Sequence, residues 1–247
     1  MVQEQMAAIR SHYANMTGTT LSVWSGQADQ GRLLDQNPRA LLGVSSGAFF
    51  QPTGFVDPVH RRLISLAATD SLLDVVPRSS LHFTFLALSP DIFETVDELP
   101  HAFSSLQAIF ADTVPAFSYR LTDLRLVPLP NCLLLAGVPD GQSLAVRQRL
   151  SDSLLESPWG EYLEARYRGF QIPPVIWHTT LARYGAERFP MVLRDLYAAH
   201  ESEKIAALDL GRPELAVINY NWTVYTPMLS GEPIASGRKR TLDGVDR

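Results

Sequence analysis

The chain has 247 residues, a formal net charge of −5, 46% hydrophobic residues and 19% charged residues. This composition excludes wholesale disorder, and the acidic balance argues against a protein that grips long nucleic acid through its phosphates. The length allows one large domain or two small ones. The single cysteine, Cys132, excludes an internal disulfide and a multi-cysteine zinc site. Its apolar neighbours predict a buried, inert thiol.

No run of about 18 apolar residues is present, so the sequence predicts no membrane-spanning helix. The N-terminus has no basic region followed by an apolar block, which is the pattern of a secretory signal. We therefore expect a cytoplasmic protein that does not interact with membranes.

Helices are predicted where apolar residues recur every three or four positions, and strands where short apolar or aromatic runs lie between glycine, proline or serine. In the N-terminal part these patterns predict a helix over 3–16, strands over 19–24 and 42–50, a helix over 58–69, a strand over 81–88, a helical segment from 91 to about 110 that Pro100 interrupts, and strands over 117–127 and 131–138.

The same patterns continue to the C-terminus. They predict a helix over 141–156, a mixed segment over 158–174, a strand over 175–184, a helix near 190–202, strands over 206–211 and 214–226, and a polar tail from Ser236. The order strand, helix, strand, strand thus occurs twice, over 81–138 and over 175–226. This repetition predicts an internal duplication, with two α+β lobes packed around a shared cleft.

Each repeat begins with a strand that carries His, any residue, Thr and an apolar residue. The first copy is His82-Phe83-Thr84-Phe85 and the second is His178-Thr179-Thr180-Leu181. Because side chains alternate along a strand, each histidine shares a face with the threonine two positions later. In a regular strand Tyr184 lies on the face of His178 and Arg183 points away from it, whereas a β-bulge would re-aim Arg183.

Two imidazoles and two hydroxyls that converge on a small volume suit a phosphate diester. Imidazole has an ordinary pKa of about 6.5, so one histidine can accept a proton from the attacking oxygen while the other protonates the leaving oxygen. The threonine hydroxyls can donate to the non-bridging phosphate oxygens. This chemistry requires no metal ion, and the sequence leaves open which histidine is the base.

A single H-x-[ST] triplet has little specificity, and a third copy, His200-Glu201-Ser202, lies in a polar helical stretch. Two copies in apolar strands at equivalent points of a repeat are far more specific. Some aromatic residues could also contact a substrate, with core packing as the alternative for each. Stacking on a base is a possible role of Tyr184, Trp177, Trp222 and Tyr225, and a lid is a possible role of Phe49-Phe50.

The paired motifs resemble those of the two-histidine (2H) phosphoesterase superfamily, which includes RNA 2′,5′-ligase-like proteins and cyclic nucleotide phosphodiesterases. The run His178-Thr179-Thr180-Leu181-Ala182-Arg183 is similar to the H-x-T-L-A-R form of that group's second motif. The resemblance covers about residues 40–226. It implies a bilobal α+β fold with two pseudo-symmetric lobes, antiparallel sheets lining a central cleft and helices outside.

The resemblance also implies a function. It implies metal-independent hydrolysis of 2′,3′-cyclic or 2′,5′-linked phosphates, with His82 and His178 as the acid/base pair and Thr84 and Thr180 as phosphate binders. We add Tyr184 as a candidate substrate contact, and we expect a small nucleotide or short oligonucleotide as substrate, with no cofactor. The expected organisation is a helix and loop extension over 1–40, the bilobal domain over 41–235 and a polar tail over 236–247.

Three other interpretations remain. The first is a non-catalytic module of the same fold that binds a nucleotide or an RNA end. The second has the two histidines ligating a metal, although neither motif contains a carboxylate or a second histidine at ligand spacing. The third is a purely structural or interaction protein. Turnover of a cyclic nucleotide in excess EDTA separates the leading hypothesis from the metal site.

Overall fold

The computed structural model describes residues 2–35, 40–114 and 117–228. The helices of this part of the chain are α1 (Val2–Gly26), α2 (Val56–Ala67), α3 (Phe103–Thr113), α4 (Gly141–Leu155), α5 (Gly160–Arg166) and α6 (Met191–His200). The strands are β1 (Leu42–Phe49), β2 (Leu73–Val75), β3 (His82–Ala87), β4 (Arg120–Leu129), β5 (Cys132–Pro139), β6 (His178–Tyr184), β7 (Ile205–Asp209), β8 (Glu214–Asn219) and β9 (Tyr225–Pro227).

The strands form two sheets in which every neighbouring pair is antiparallel. One sheet has the order β3-β1-β8-β9 and the other has the order β2-β6-β5-β4-β7. The two motif strands, β3 and β6, lie in different sheets, and side chains from both line a central cavity. The predicted fold class, α+β with antiparallel sheets lining a cleft, is confirmed.

The two repeats are nevertheless not two separate halves of the molecule. Strands β4 and β5 of the first repeat pair with β6 and β7 of the second, whereas β3 pairs through β1 with β8. The pairing of Ala136 with His178 joins the two repeats directly beside the second motif. Each wall of the cleft is therefore built from strands of both repeats.

Most predicted elements are confirmed, but three segments differ. Residues 19–24 continue α1 instead of forming a strand, because the buried residues Ile9, Tyr13, Thr20 and Trp24 keep helical spacing along one face. Residues 91–102 are not an α-helix, since the backbone of Phe93 pairs with Leu42 at the start of β1 and leaves only a short 3₁₀ turn at Val96–Glu98. The predicted strand over 214–226 is two strands, β8 and β9, joined by a turn.

The sequence patterns also missed two short elements, β2 and α5, and they started the second motif strand too early. Strand β6 begins at His178, so 175–177 lies outside the ladder. The polar tail predicted from Ser236 lies outside the described residues. Within the described ranges, no helix combines the length and apolar character needed to cross a membrane.

Helix α1 covers the five-stranded sheet and is fastened to it by two buried aromatic residues. The Tyr13 hydroxyl accepts from the backbone N–H of Trp177 at 2.9 Å and lies 2.9 Å from the carbonyl of Gly137. The Trp24 indole N–H donates to the carbonyl of Pro130 at 3.0 Å. The first of these contacts anchors the residue that immediately precedes His178.

Candidate active site

A cavity of about 350 Å³ lies between the two sheets. His82 and Thr84 line it from β3, and His178 and Thr180 line it from β6. The structure thus brings together the four residues of the paired motifs, which are almost 100 positions apart in the chain. The cavity volume is at the small end of the range typical of small-molecule sites.

Both motif strands contain a β-bulge at the same position. Thr84 pairs with Gly47 and Leu86 with Ser46, so Phe85 is the extra residue in β3. Thr180 pairs with Leu134 and Ala182 with Leu133, so Leu181 is the extra residue in β6. The bulge follows the threonine in both copies, and it reverses the facing of every later side chain.

This reversal corrects the prediction for two residues of β6. Arg183 lines the central cavity, and its Nη2 donates to the Thr180 hydroxyl at 3.3 Å. Tyr184 lies outside this cavity, in a neighbouring one, and its hydroxyl donates to Asp70 at 3.0 Å. The placement of Tyr184 beside the histidines assumed a regular strand, and the bulge at Leu181 puts Arg183 there instead.

The His82 ring is held on two sides. Its Nδ1 lies 2.8 Å from the carbonyl of Ser80, and because a carbonyl only accepts, this nitrogen carries a proton. The indole of Trp222 stacks on the imidazole with a centroid distance of 3.9 Å and an interplanar angle of 10°. Burial lowers the pKa of His82 to about 3. The neutral ring therefore has its lone pair on Nε2.

The second histidine lies on the opposite wall, at the start of β6. Backbone pairing of His178 with Ala136 fixes it on the larger sheet. Burial lowers the pKa of His178 to about 4, and the nearby Arg183 and Arg147 act in the same direction. Both histidines are therefore neutral in the ligand-free site at neutral pH, and an anion between them would favour the protonated form.

Three arginines surround the histidines, and the sequence analysis considered only Arg183, on the condition of a β-bulge. Arg147 comes from α4, Arg166 from the end of α5 and Arg183 from β6, while Asp91 is the one carboxylate among the described residues that line the cavity. The excess of guanidinium groups over carboxylates favours an anionic ligand in this cavity. Burial raises the pKa of Asp91 above the ordinary range of an aspartate.

Arg147 also shapes the segment that leads into His178. Its guanidinium donates to the carbonyls of Ile176 and Pro174 and lies 3.4 Å from the centroid of the Trp177 ring. Trp177 is fully buried in this arrangement, so it is a core residue and does not contact the cavity. Arg147 had no sequence signal, because it lies in an amphipathic helix far from either motif.

Trp222 is the aromatic candidate that reaches the cavity. It has a backbone φ of 59°, which is uncommon for a bulky residue and concentrates at functional sites. Gly47 makes room for it, since a β-carbon at that position would lie 2.8 Å from the Trp222 ring. Phe49 and Tyr225 form edge contacts with each other and support the Trp222 ring from behind, so Phe49 is not a lid.

The remaining candidates are placed as follows. Burial raises the pKa of the Cys132 thiol to about 11, which agrees with an inert cysteine. His200 lies on the surface at the end of α6, where its ring contacts Glu203 at 2.9 Å. No group of three or more His, Cys, Asp or Glu residues within 2–35, 40–114 and 117–228 is arranged to hold a metal ion.

Comparison with known proteins finds likeness at the level of solved structures. No protein-family model matches the chain, and no curated protein matches it significantly. TT0787 of Thermus thermophilus is 19% identical with a TM-score of 0.41, over 76% of this chain and 95% of that one. E. coli LigT complexed with ATP is 14% identical with a TM-score of 0.45, over 76% and 96%. A structure described as a phosphoesterase is 16% identical with a TM-score of 0.45, over 76% and 95%.

Proposed function

We propose that the protein is a 2H-type phosphodiesterase that hydrolyses a cyclic phosphate, such as a 2′,3′-cyclic nucleotide or RNA end, or a 2′,5′-linked short oligonucleotide, without a metal ion. One observation carries the proposal: His82, Thr84, His178 and Thr180 line a single cavity, with one histidine and one threonine on each wall. A single ligand in this cavity could therefore contact the residues of both motifs.

The charge of the cavity supports a phosphate as that ligand. Three arginines and one aspartate line it, so a ligand with one negative charge reduces the electrostatic repulsion among the guanidinium groups. The Thr180 hydroxyl accepts from Arg183 at 3.3 Å, and rotation of the hydroxyl would allow it to donate to a non-bridging phosphate oxygen. These donors would stabilise the charge that concentrates on the phosphoryl oxygens in the transition state.

The hydrogen bond of His82 supports one division of the proton-transfer roles, with His82 as the base and His178 as the acid. The Nδ1 of His82 donates to Ser80, so Nε2 accepts a proton from water while the water oxygen forms a bond to phosphorus. The bond from phosphorus to the leaving oxygen breaks, and protonated His178 donates its proton to that oxygen. One water is consumed, and proton exchange with solvent restores both rings. Each proton transfer typically contributes about 10²–10⁴-fold to the rate.

Hydrolysis of 2′,3′-cyclic nucleotides in excess EDTA tests the proposal. We expect turnover to persist in EDTA and to be lost in His82→Asn and in His178→Asn, while the affinity for the nucleotide product stays measurable. His200→Asn is the matched control, because it removes the histidine of the third H-x-[ST] triplet from the surface. Its turnover should equal that of the wild type.

Two results would contradict the proposal. Turnover that survives in both motif variants would show that the histidines do not carry the chemistry. Nucleotide binding without turnover in the wild type would favour the non-catalytic binding module instead.

A further inference from the structure

The segment that leads into His178 is held mainly by side chains. Strand β6 begins at His178, and residues 174–177 belong to no helix or strand. The N–H of Gly137 donates to the carbonyl of Trp177 at 3.0 Å, whereas the carbonyls of residues 174 and 176 lie before the β5–β6 ladder. Backbone carbonyls that strand pairing does not use need other partners. The groups that bond to them therefore also fix the backbone immediately before His178.

Arg147, in α4, holds this segment at three points. Its Nη1 donates to the carbonyl of Ile176 at 3.2 Å, and its Nη2 donates to the carbonyl of Pro174. The central carbon of its guanidinium lies 3.4 Å from the centroid of the Trp177 ring. A planar, forked guanidinium can donate two hydrogen bonds and stack on an aromatic ring at the same time, whereas the compact ammonium of a lysine cannot.

The charge of Arg147 is buried without a counter-ion. The residue is 3% exposed, and within the described part of the chain it forms no ion pair with a carboxylate, since the titratable groups that act on it are three tyrosines. Burial lowers the pKa of Arg147 to about 10. A buried cation without a partner of opposite charge is costly, and an apolar side chain of similar volume is often the more stable choice. Packing alone therefore does not account for a guanidinium at this position.

We propose that Arg147 is a positioning residue, which fixes residues 174–177 and through them the ring of His178 in the orientation that protonates the leaving oxygen. This inference rests on the proposed function. Arg147 lines the same cavity as His178, so the backbone that it holds carries one of the reacting groups. A displacement of about 1 Å at a reacting group can cost about 10²-fold in rate.

The variant Arg147→Lys separates position from charge. It keeps the positive charge, and with it the electrostatic effect on His178 and on the substrate, but it loses the planar fork. We expect kcat for 2′,3′-cyclic nucleotides to fall by about 10²-fold, with KM little changed. Arg149→Lys is the matched control, because Arg149 lies two positions further along the same helix, is exposed and does not line the cavity. Its kcat should equal that of the wild type.

Hydrogen exchange tests the placement of the segment without turnover. The backbone N–H groups of Gly137 and Trp177 are both hydrogen-bonded where the segment meets the larger sheet. In Arg147→Lys these two amides should exchange about tenfold faster than in the wild type, the effect of losing one hydrogen bond from a charged group. The N–H of Leu88, which donates to a carbonyl of β1 in the smaller sheet, is the internal reference and should keep its wild-type rate.

The outcomes separate this inference from the proposed function. A wild-type kcat in Arg147→Lys, or a loss confined to KM, would overturn the inference and leave the phosphodiesterase intact. If the wild type hydrolyses no cyclic nucleotide, the proposed function fails and the exchange rates decide. Faster exchange at Gly137 and Trp177 alone would support Arg147 as the residue that fixes the segment, whereas unchanged rates, or an equal increase at Leu88, would refute a local role. If Arg147→Lys does not fold, Arg147→Gln, which retains an amide donor, replaces it in both measurements.

Discussion

Two buried tyrosines that flank Trp177 should respond in opposite directions to loss of their hydroxyl. The Tyr13 hydroxyl accepts from the Trp177 N–H at 2.9 Å and lies 2.9 Å from the Gly137 carbonyl. Tyr13→Phe leaves both backbone groups without this partner in the interior. At about 1–3 kcal/mol for each of the two buried groups left unpaired, the free energy of unfolding should fall by about 2–6 kcal/mol.

Tyr119 is the matched comparison, because its ring centroid lies 5.5 Å from that of Trp177 and its hydroxyl has no hydrogen-bond partner among the described residues. Tyr119→Phe removes an unpaired buried hydroxyl, so it should be neutral or should stabilise the fold by about 1–3 kcal/mol. Urea unfolding at constant m-value measures both changes. Equal losses of stability in the two variants would refute the assignment of the Tyr13 hydroxyl as the bridge to Trp177.

Three further predictions concern the site. The pKa values of about 3 for His82 and about 4 for His178 lie below the ordinary value, so as the pH falls the unfolded chain takes up protons before the folded protein does. The free energy of unfolding, measured across an acid titration, should therefore fall by about 1.4 kcal/mol per histidine and pH unit from pH 6.5 towards 4. A free energy of unfolding that does not change over this range would contradict the prediction. Sulfate, which does not titrate at pH 6, should bind with uptake of protons, because an anion between the histidines favours the imidazolium form. Calorimetry in two buffers of different ionisation enthalpy measures the number of protons taken up. Binding without proton uptake would argue against a sulfate site between the two rings. A β-carbon at Gly47 would lie 2.5 Å from the Phe83 carbonyl oxygen and 2.8 Å from the Trp222 ring, whereas one at Gly18 meets no atom within 4 Å. Gly47→Ala should therefore disturb both the β1–β3 pairing beside His82 and the ring stacked on it, and should reduce kcat more than Gly18→Ala; equal activities would contradict a catalytic effect of this packing.

The sequence could predict the histidine pair because its signal is local and occurs twice. Alternation along a strand places residues i and i+2 together, and that rule holds for His82 with Thr84 and for His178 with Thr180. The rule fails after the threonine, because a β-bulge inserts Phe85 in β3 and Leu181 in β6. Nothing in the amino-acid sequence around these two residues marks a bulge. Arg183 and Tyr184 exchange places for that reason.

The arginines were beyond prediction for a different reason. Arg147 and Arg166 reach the cavity from two helices whose position depends on packing against the sheets, and neither lies in a recognisable motif. The helix predicted over 91–102 failed in a similar way, because backbone pairing between Phe93 and Leu42 outweighs a helical spacing of apolar residues. Long-range contacts of this kind produce no periodic pattern of apolar residues in the sequence, so they cannot be predicted from it.

Each sheet contains strands from both repeats, and this has a consequence for how the protein folds. Strand β1 pairs with β8 across most of the chain, from Leu42 to Asn219, so the smaller sheet is complete only after nearly everything has been synthesised. Folding should be slow, as expected for a topology of such high contact order. Because each sheet takes strands from both repeats, neither repeat alone contains a complete sheet, and we expect neither to fold on its own.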